Sequence, residues 1–344
     1  MNDMNRTVIL TGIRSNEEPQ LGNYFGAMLP LIDMAKNKSE EFTVNLFVPD
    51  LHSFTTEIDY SKLYSQTINT LSKFVAAGLP IDNPNVHIYR QSYIPAHSEL
   101  TVILNNFTGF GEMNRMTQFK DKGSEKQYVS VGLFDYPVLM ASDILLYGAK
   151  YIPVGDDQTQ HLEFTRNIAI RLNNKFGNIF EVPEPVLKQH LLFGNDQGLR
   201  IKDLVNPDKK MSKSDKSGKG VIFLSDDPDV AVKKIMTATT DSINKINYDP
   251  KKQPGISNLL QIQALLTGKK LTEVISFYNN KENYGELKKS VASEVKNFLN
   301  DFQSRLANID ETALKAKLES SEIAMNEKAK KTLTKVQKAV GLRR

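Results

Sequence analysis

Short apolar runs take turns with stretches of helical periodicity from Thr7 to Gly177, and this alternation constrains the fold more than any other feature of the chain. Thr7-Val8-Ile9-Leu10, Val44-Asn45-Leu46-Phe47-Val48, Val86-His87-Ile88-Tyr89 and Tyr151-Ile152-Pro153-Val154 read as strands; Gly12, Pro49-Asp50 and Gly155 follow three of them. Helices are expected between them. One starts near Gly22-Asn23, turns Phe25, Met28, Leu29 and Ile32 inward, and has Pro30 as a kink or in its first turn. Others are expected at 61–77, stopped by Gly78, at 127–147, where Pro137 limits the first part, and at 157–175, stopped by Gly177. Such alternation specifies the α/β class, a parallel sheet covered by helices. Ligands in these sheets bind beyond the carboxyl ends of the strands, so Gly12, Asp50 and Gly155 should gather at one edge.

After Val221 the periodicity is helical throughout, with segments at 229–237, 257–267, 271–278, 284–307 and 311–340. A chain of 344 residues has room for two domains. The change of pattern places their boundary near 215–225, giving residues 1–218 and 219–344. There is no cysteine, which excludes disulfides, thiolate catalysis and cysteine-bound zinc and fits a reducing compartment. The N-terminus lacks the basic-then-apolar order of a signal peptide. Asp135 and Asp143 interrupt the longest apolar region, so no membrane partner is expected. A net charge of +4 permits a polyanionic partner without demanding one. The last stretch carries Lys328, Lys330, Lys331, Lys335, Lys338, Arg343 and Arg344 and no acid. It reads either as a solvated helix face or as a contact to a nucleic-acid backbone.

Two stretches could handle a polyphosphate. Lys210-Met211-Ser212-Lys213-Ser214 offers two long cationic arms separated by small residues, and lysine meets phosphate as a mobile point charge. Gln20-Leu21-Gly22-Asn23 follows the first strand. A glycine there lets a phosphate or flat ring approach the backbone, and a helix start favours anions. Gln20 and Asn23 place two neutral hydrogen-bonding groups one turn apart; alone, they equally describe a loop with an asparagine N-cap.

Together these two motifs resemble the class I aminoacyl-tRNA synthetases, whose first loop carries a His-Ile-Gly-His-like signature. Here Gln20 and Asn23 replace both histidines with amides. Tyr136-Pro137-Val138-Leu139-Met140-Ala141-Ser142-Asp143-Ile144-Leu145-Leu146-Tyr147 and the later Ile152-Pro153-Val154-Gly155-Asp156-Asp157-Gln158 make the chain similar to the tryptophan-charging branch, more than to the tyrosine-charging one. Asp50-Leu51-His52, Gly111-Glu112-Met113-Asn114-Arg115 and Lys252-Gln253-Pro254-Gly255-Ile256-Ser257-Asn258 support it, and the likeness runs from Thr7 to Leu260.

The resemblance implies a Rossmann-like parallel-sheet catalytic domain, ending in the lysine loop at 218, followed by an α-helical anticodon-binding domain. It implies ATP with Mg2+ carried by the nucleotide rather than by a protein metal site, L-tryptophan, tRNA(Trp), a homodimer and a cytoplasmic location. The ATP-binding residues it implies are Arg14, Ser15, Asn16, Gln20, Gly22, Asn23, Gly155, Asp156, Asp157, Ile201, Lys210, Met211, Ser212, Lys213 and Ser214. Of these, Asp157 would hold the ribose. Lys210, Ser212 and Lys213, with Lys122, would stabilise the transferring phosphate and the leaving pyrophosphate. Tyr136, Met140, Asp143, Ile144, Ile152, Val154 and Gln158 would line the tryptophan pocket, although the apolar ones also read as core.

Asp143 has a chemical argument beside the resemblance. Indole N–H is only a donor, so selecting it needs a buried acceptor in an apolar box, and Asp143 stands among Met140, Ile144 and Leu145. Sites of this kind discriminate by about 10⁴–10⁵. The plainer reading is a helix-surface aspartate. His52 reads as a nucleotide neighbour or a structural histidine, and His161, Glu163 and Arg166 as structural. One departure stands out: Arg14 is followed by Ser15-Asn16-Glu17, where the family has a proline and a glycine. A tyrosine-type synthetase and a non-catalytic nucleotide- or RNA-binding paralogue are the alternatives; the second should lose the lysine loop.

Overall fold

Three parallel strands, β1 (Thr7–Gly12), β2 (Phe42–Val48) and β3 (Val86–Arg90), lie in that order in one sheet, with Thr7 beside Phe42 and Val44 beside Val86. This is a computed structural model that describes residues 6–15, 18–117, 129–155, 158–193, 201–212, 218–279 and 281–344. All of β2 is buried, as a strand flanked on both edges and covered on both faces must be. The fourth expected strand, 151–154, reduces to a single parallel bridge between Tyr151 and Ile9. Pro153 has no N–H to give a ladder, and the Ile152 N–H donates to Gln189 Oε1 at 2.7 Å instead.

Among the helices, α1 (Leu21–Asn23) takes Gln20 as its N-cap rather than an asparagine. It continues through a π turn, Tyr24–Met28, into α2 (Leu29–Asn37). The wider turn lies directly before Pro30, the residue that cannot donate and whose ring crowds the turn behind it. α3 (Leu63–Ala76) ends before Gly78, at φ +104°. α4 (Ala96–Asn105) and α5 (Phe110–Asn114) precede α6 (Val131–Leu145), which passes through buried Pro137 without stopping. Packing between α4 and α7 (Thr159–Phe176) holds α6 helical where local propensity would end it. α7 closes at Gly177, at φ +83°, and α8 (Val186–Phe193) follows. The remaining helices are α9 (Pro228–Met236), α10 (Pro254–Thr267), α11 (Leu271–Tyr278), α12 (Tyr284–Ala307) and α13 (Glu311–Ala339).

The chain divides into two compact units that do not follow a single cut at 218/219. One contains residues 1–17, 31–194 and 310–344; the other contains 18–30 and 195–309. In the first, α13 returns to the sheet and lies along β3. Its buried Glu322 receives Arg90 Nε at 2.7 Å, Nη2 at 2.8 Å and the Arg90 backbone N–H at 3.2 Å, while the guanidinium sits 3.3 Å above the Tyr93 ring. In the second unit, Pro19 and Leu21 pair with Leu224 and Ile222 through backbone bonds of 3.0 and 2.9 Å, and Phe298 and Phe302 of α12 pack edge-on against Tyr24. A helical period reports which face is apolar, not what will cover it, so neither exchange is visible in local sequence.

Candidate active site

In the first unit the residues just past the strand ends bond to one another. Ser15, after β1, has its hydroxyl 3.4 Å from that of Ser53, and its carbonyl accepts from Thr70 Oγ1 at 3.3 Å. Asp50, after β2, accepts the Leu51 and Ser92 N–H groups at 3.1 and 2.9 Å. Gln91, after β3, accepts the Leu51 N–H through Oε1 at 3.2 Å and donates through Nε2 to Asp143 at 2.7 Å.

Asp143 is the centre of this arrangement. It stands on α6 at 2% exposure, so the surface-aspartate reading is excluded. Nor is it a bare acceptor. Oδ1 receives Gln91 Nε2 at 2.7 Å and His97 Nδ1 at 2.6 Å, and Oδ2 receives His52 Nε2 at 2.9 Å. The His97 Nε2 is 2.8 Å from the Tyr147 hydroxyl. Burial alone would raise the Asp143 pKa, but the hydrogen bonds from the two histidines outweigh it and bring it down to about 2. Burial and the nearby carboxylate hold the Tyr147 hydroxyl well above its ordinary range. The result is a fixed anion in an apolar box. A carboxylate has about four lone-pair sites. Among the described residues, Oδ1 uses both of its own and Oδ2 uses one, which leaves one site on Oδ2.

Of the other expected pocket residues, Tyr136, Ile144 and Ile152 are buried, while Met140 and Val154 are half-buried against the core cluster that holds Ile144 and Ile152. The Tyr136 hydroxyl is 2.7 Å from His161 Nε2, and the His52 ring meets Tyr136 edge-on. Arg166 pairs with Glu163 at 3.1 Å. Gly155 is exposed, and its carbonyl accepts the N–H of Gln158, which caps α7. Asn16, Lys122, Asp156, Asp157, Lys213 and Ser214 lie outside the described residues. Arg14 is half-buried at the start of the first loop.

The other expected phosphate-side residues are in the second unit. Gln20 and Asn23 form a reciprocal cap: Gln20 Oε1 accepts the Gly22 N–H, and Asn23 Oδ1 accepts the Gln20 N–H at 3.2 Å. A Cβ on Gly22 would lie 2.9 Å from Gln20 Oε1, so the glycine makes room for the cap. Gln20 Nε2 donates onward to the Met211 carbonyl at 3.1 Å. Met211 is buried, and its N–H donates to the buried Ile201 at 2.9 Å; Lys202 and Lys210 form an antiparallel bridge. Asn258 of α10 clasps Lys202 through both its N–H, at 2.8 Å, and its carbonyl, at 2.9 Å. Lys210 and Ser212 are exposed. The lysine loop is therefore anchored at its buried methionine and presents Lys210 and Ser212 outward.

Sequence reasoning passed over Gln91 and His97, and gave Tyr147 and Asn258 no role beyond their place in the quoted motifs. Gln91 follows a strand end directly, which was an available signal. His97 had none beyond being a lone histidine on an apolar helix. Among the described residues no group of three or more His, Asp or Glu could hold a metal, and no helix is long and apolar enough to cross a membrane.

Residues 2–300 match the family described as tRNA synthetases class I (W and Y). The tryptophan–tRNA ligase of Caldanaerobacter subterraneus is 41% identical over 334 residues, covering 97% of this chain and 98% of that protein. Among solved structures, tryptophanyl-tRNA synthetase from Mycoplasma pneumoniae superposes with a TM-score of 0.83 at 34% identity, covering 98% of each chain. The Campylobacter jejuni enzyme, complexed with ADP and tryptophan, gives 0.78 at 27% identity, covering 97% of this chain and all of its own.

Proposed function

We propose that this chain, which belongs to the class I tRNA synthetases of the W and Y family, is a tryptophan–tRNA ligase. The observation that carries the reading is the similarity to a tryptophan–tRNA ligase over nearly the whole of both chains. In the first step the tryptophan carboxylate attacks the α-phosphorus of ATP. The bond to the bridging oxygen breaks, and pyrophosphate leaves tryptophanyl-AMP behind. In the second, a hydroxyl of the terminal ribose of tRNA(Trp) attacks the carbonyl carbon, loses its proton and displaces AMP.

Neither step needs a side-chain nucleophile. The protein positions the reactants and stabilises charge as it moves onto the leaving phosphates. Lys210 and Lys213 are the groups for that task, with Lys122, Ser212 and the Arg14–Asn16 loop beside the nucleotide. Mg2+ arrives on the ATP phosphates, its usual mode in nucleotide enzymes.

Asp143 selects the amino acid by accepting the indole N–H at the open site on Oδ2. Because three donors already hold the carboxylate, phenylalanine leaves one acceptor site unmet rather than a bare buried anion. That lowers the expected discrimination against phenylalanine to ~10²-fold, the cost of one unsatisfied buried group. Tyr136, Met140, Ile144, Ile152, Val154 and Gln158 complete the pocket. Helices α9–α12 are the part that reads the anticodon, with the basic end of α13 as a contact to the tRNA backbone. The reading implies a homodimer. A cytoplasmic location fits the substrates.

The test is amino-acid-dependent exchange of pyrophosphate into ATP with all twenty amino acids. Exchange with tryptophan alone is expected. Exchange with tyrosine alone would move the chain to the other branch of the family, and none with any amino acid would make it a non-catalytic paralogue.

A further inference from the structure

We propose that Gln20 is a positioning residue that fixes the lysine loop to the helix start, rather than a direct ligand of the nucleotide; the proposal rests on the ligase reading above. Its side chain is 3% exposed, and both ends of the amide are engaged within the protein. Oε1 accepts the Gly22 N–H and so caps α1. Nε2 donates to the carbonyl of Met211, next to Lys210. The backbone of Gln20 is held as firmly, by a bridge to Phe223 and by the flanking bonds of Pro19 and Leu21 to Leu224 and Ile222. Met211 is pinned from its other side by the bond of its N–H to Ile201 and by a side chain buried to 1%.

Only a group that accepts at one atom and donates at the next can cap the helix and clasp the loop together. An amide does both; a carboxylate lacks the donor and a thioether offers only a weak acceptor. Gln20 thereby sets where the backbone before Ser212 runs and, through it, where the exposed Lys210 side chain starts.

Two variants of the full chain break the clasp by separate routes. Gln20→Glu keeps an acceptor for Gly22 and loses the donor to Met211. Gly22→Ala places a Cβ 2.9 Å from Oε1 and 3.1 Å from Nε2 of Gln20 and pushes the amide away. Two readouts are taken: the rate of tryptic cleavage after Lys209 and Lys210 without ligands, and tryptophan-dependent pyrophosphate exchange. Both variants should be cleaved there several-fold faster than wild type. Their exchange kcat should fall ~10- to 100-fold, the cost of misplacing a charged group by about an ångström, with KM for ATP little changed in Gln20→Glu, which leaves Gly22 in place. Cleavage at the wild-type rate would overturn the proposal. So would a raised KM for ATP with kcat intact, which would make Gln20 a direct nucleotide ligand. If wild type itself shows no exchange, the ligase reading falls, and the cleavage rates still decide whether the clasp exists.

Discussion

The surroundings of Asp143 and the lysine loop solve opposite problems. Asp143 is buried and accepts three donors from Gln91, His97 and His52, which among the described residues leaves one lone pair open. Lys210 is exposed, and its neighbourhood is fixed by backbone bonds at Met211 and by the Asn258 clasp on Lys202. One region is a buried acceptor held by three internal donors; the other is a cation carried on an anchored turn. Recognition of a ring N–H needs a site ordered before the ligand arrives, because any slack in it is shared by the wrong ligand. Charge that travels from one phosphorus to a departing pyrophosphate is better met by a long side chain on a fixed base.

The strongest way to break the first region is from beneath. Glu322→Ala would leave Arg90 buried and unpaired beside Gln91, and should destabilise the fold by about 3–5 kcal/mol, read by denaturant titration. Loss within the range of a surface pair would show that Arg90 finds another partner. In the second region, Lys210→Ala and Lys213→Ala should each lower kcat for tryptophan-dependent exchange by ~10²–10³, as removal of a transition-state donor does, with the Kd for tryptophan unchanged. Equal losses in both quantities would assign the lysines to ground-state binding.

How far these regions could be read from sequence differs as well. The three strands, the helix stops at Gly78 and Gly177, and the burial of Asp143 follow from periods and breakers within a few residues of each other. The partners of Asp143 do not, because Gln91 and His97 come from a strand end and a helix that meet it only in the fold. The same holds for the Gln20–Met211 bond and for α13, whose apolar face gave no sign that it covers β3. Pro137 and Pro153 show the limit of local rules in both directions: packing overrides the first, and the second removes an expected strand.

The smallest effect sharpens the comparison through pH. The folded Asp143 pKa, about 2, lies below its unfolded value. Its contribution to stability is therefore complete above roughly pH 4 and is lost as pH falls toward 2. An acid-unfolding midpoint shifted upward in Asp143→Asn would agree, and an unshifted one would show that the carboxylate is not the group whose protonation matters. Across pH 6–9, Asp143 stays ionised and should leave the preference for tryptophan flat.

The most direct test of the division of labour is the ratio of kcat/KM for tryptophan to that for phenylalanine in pyrophosphate exchange, measured for wild type, Asp143→Asn and Gln20→Glu. The ratio should fall ~10²-fold in Asp143→Asn, the value of the acceptor site it removes, and stay at the wild-type value in Gln20→Glu even as its rate drops. An unchanged ratio in Asp143→Asn, or a collapsed one in Gln20→Glu, would contradict it.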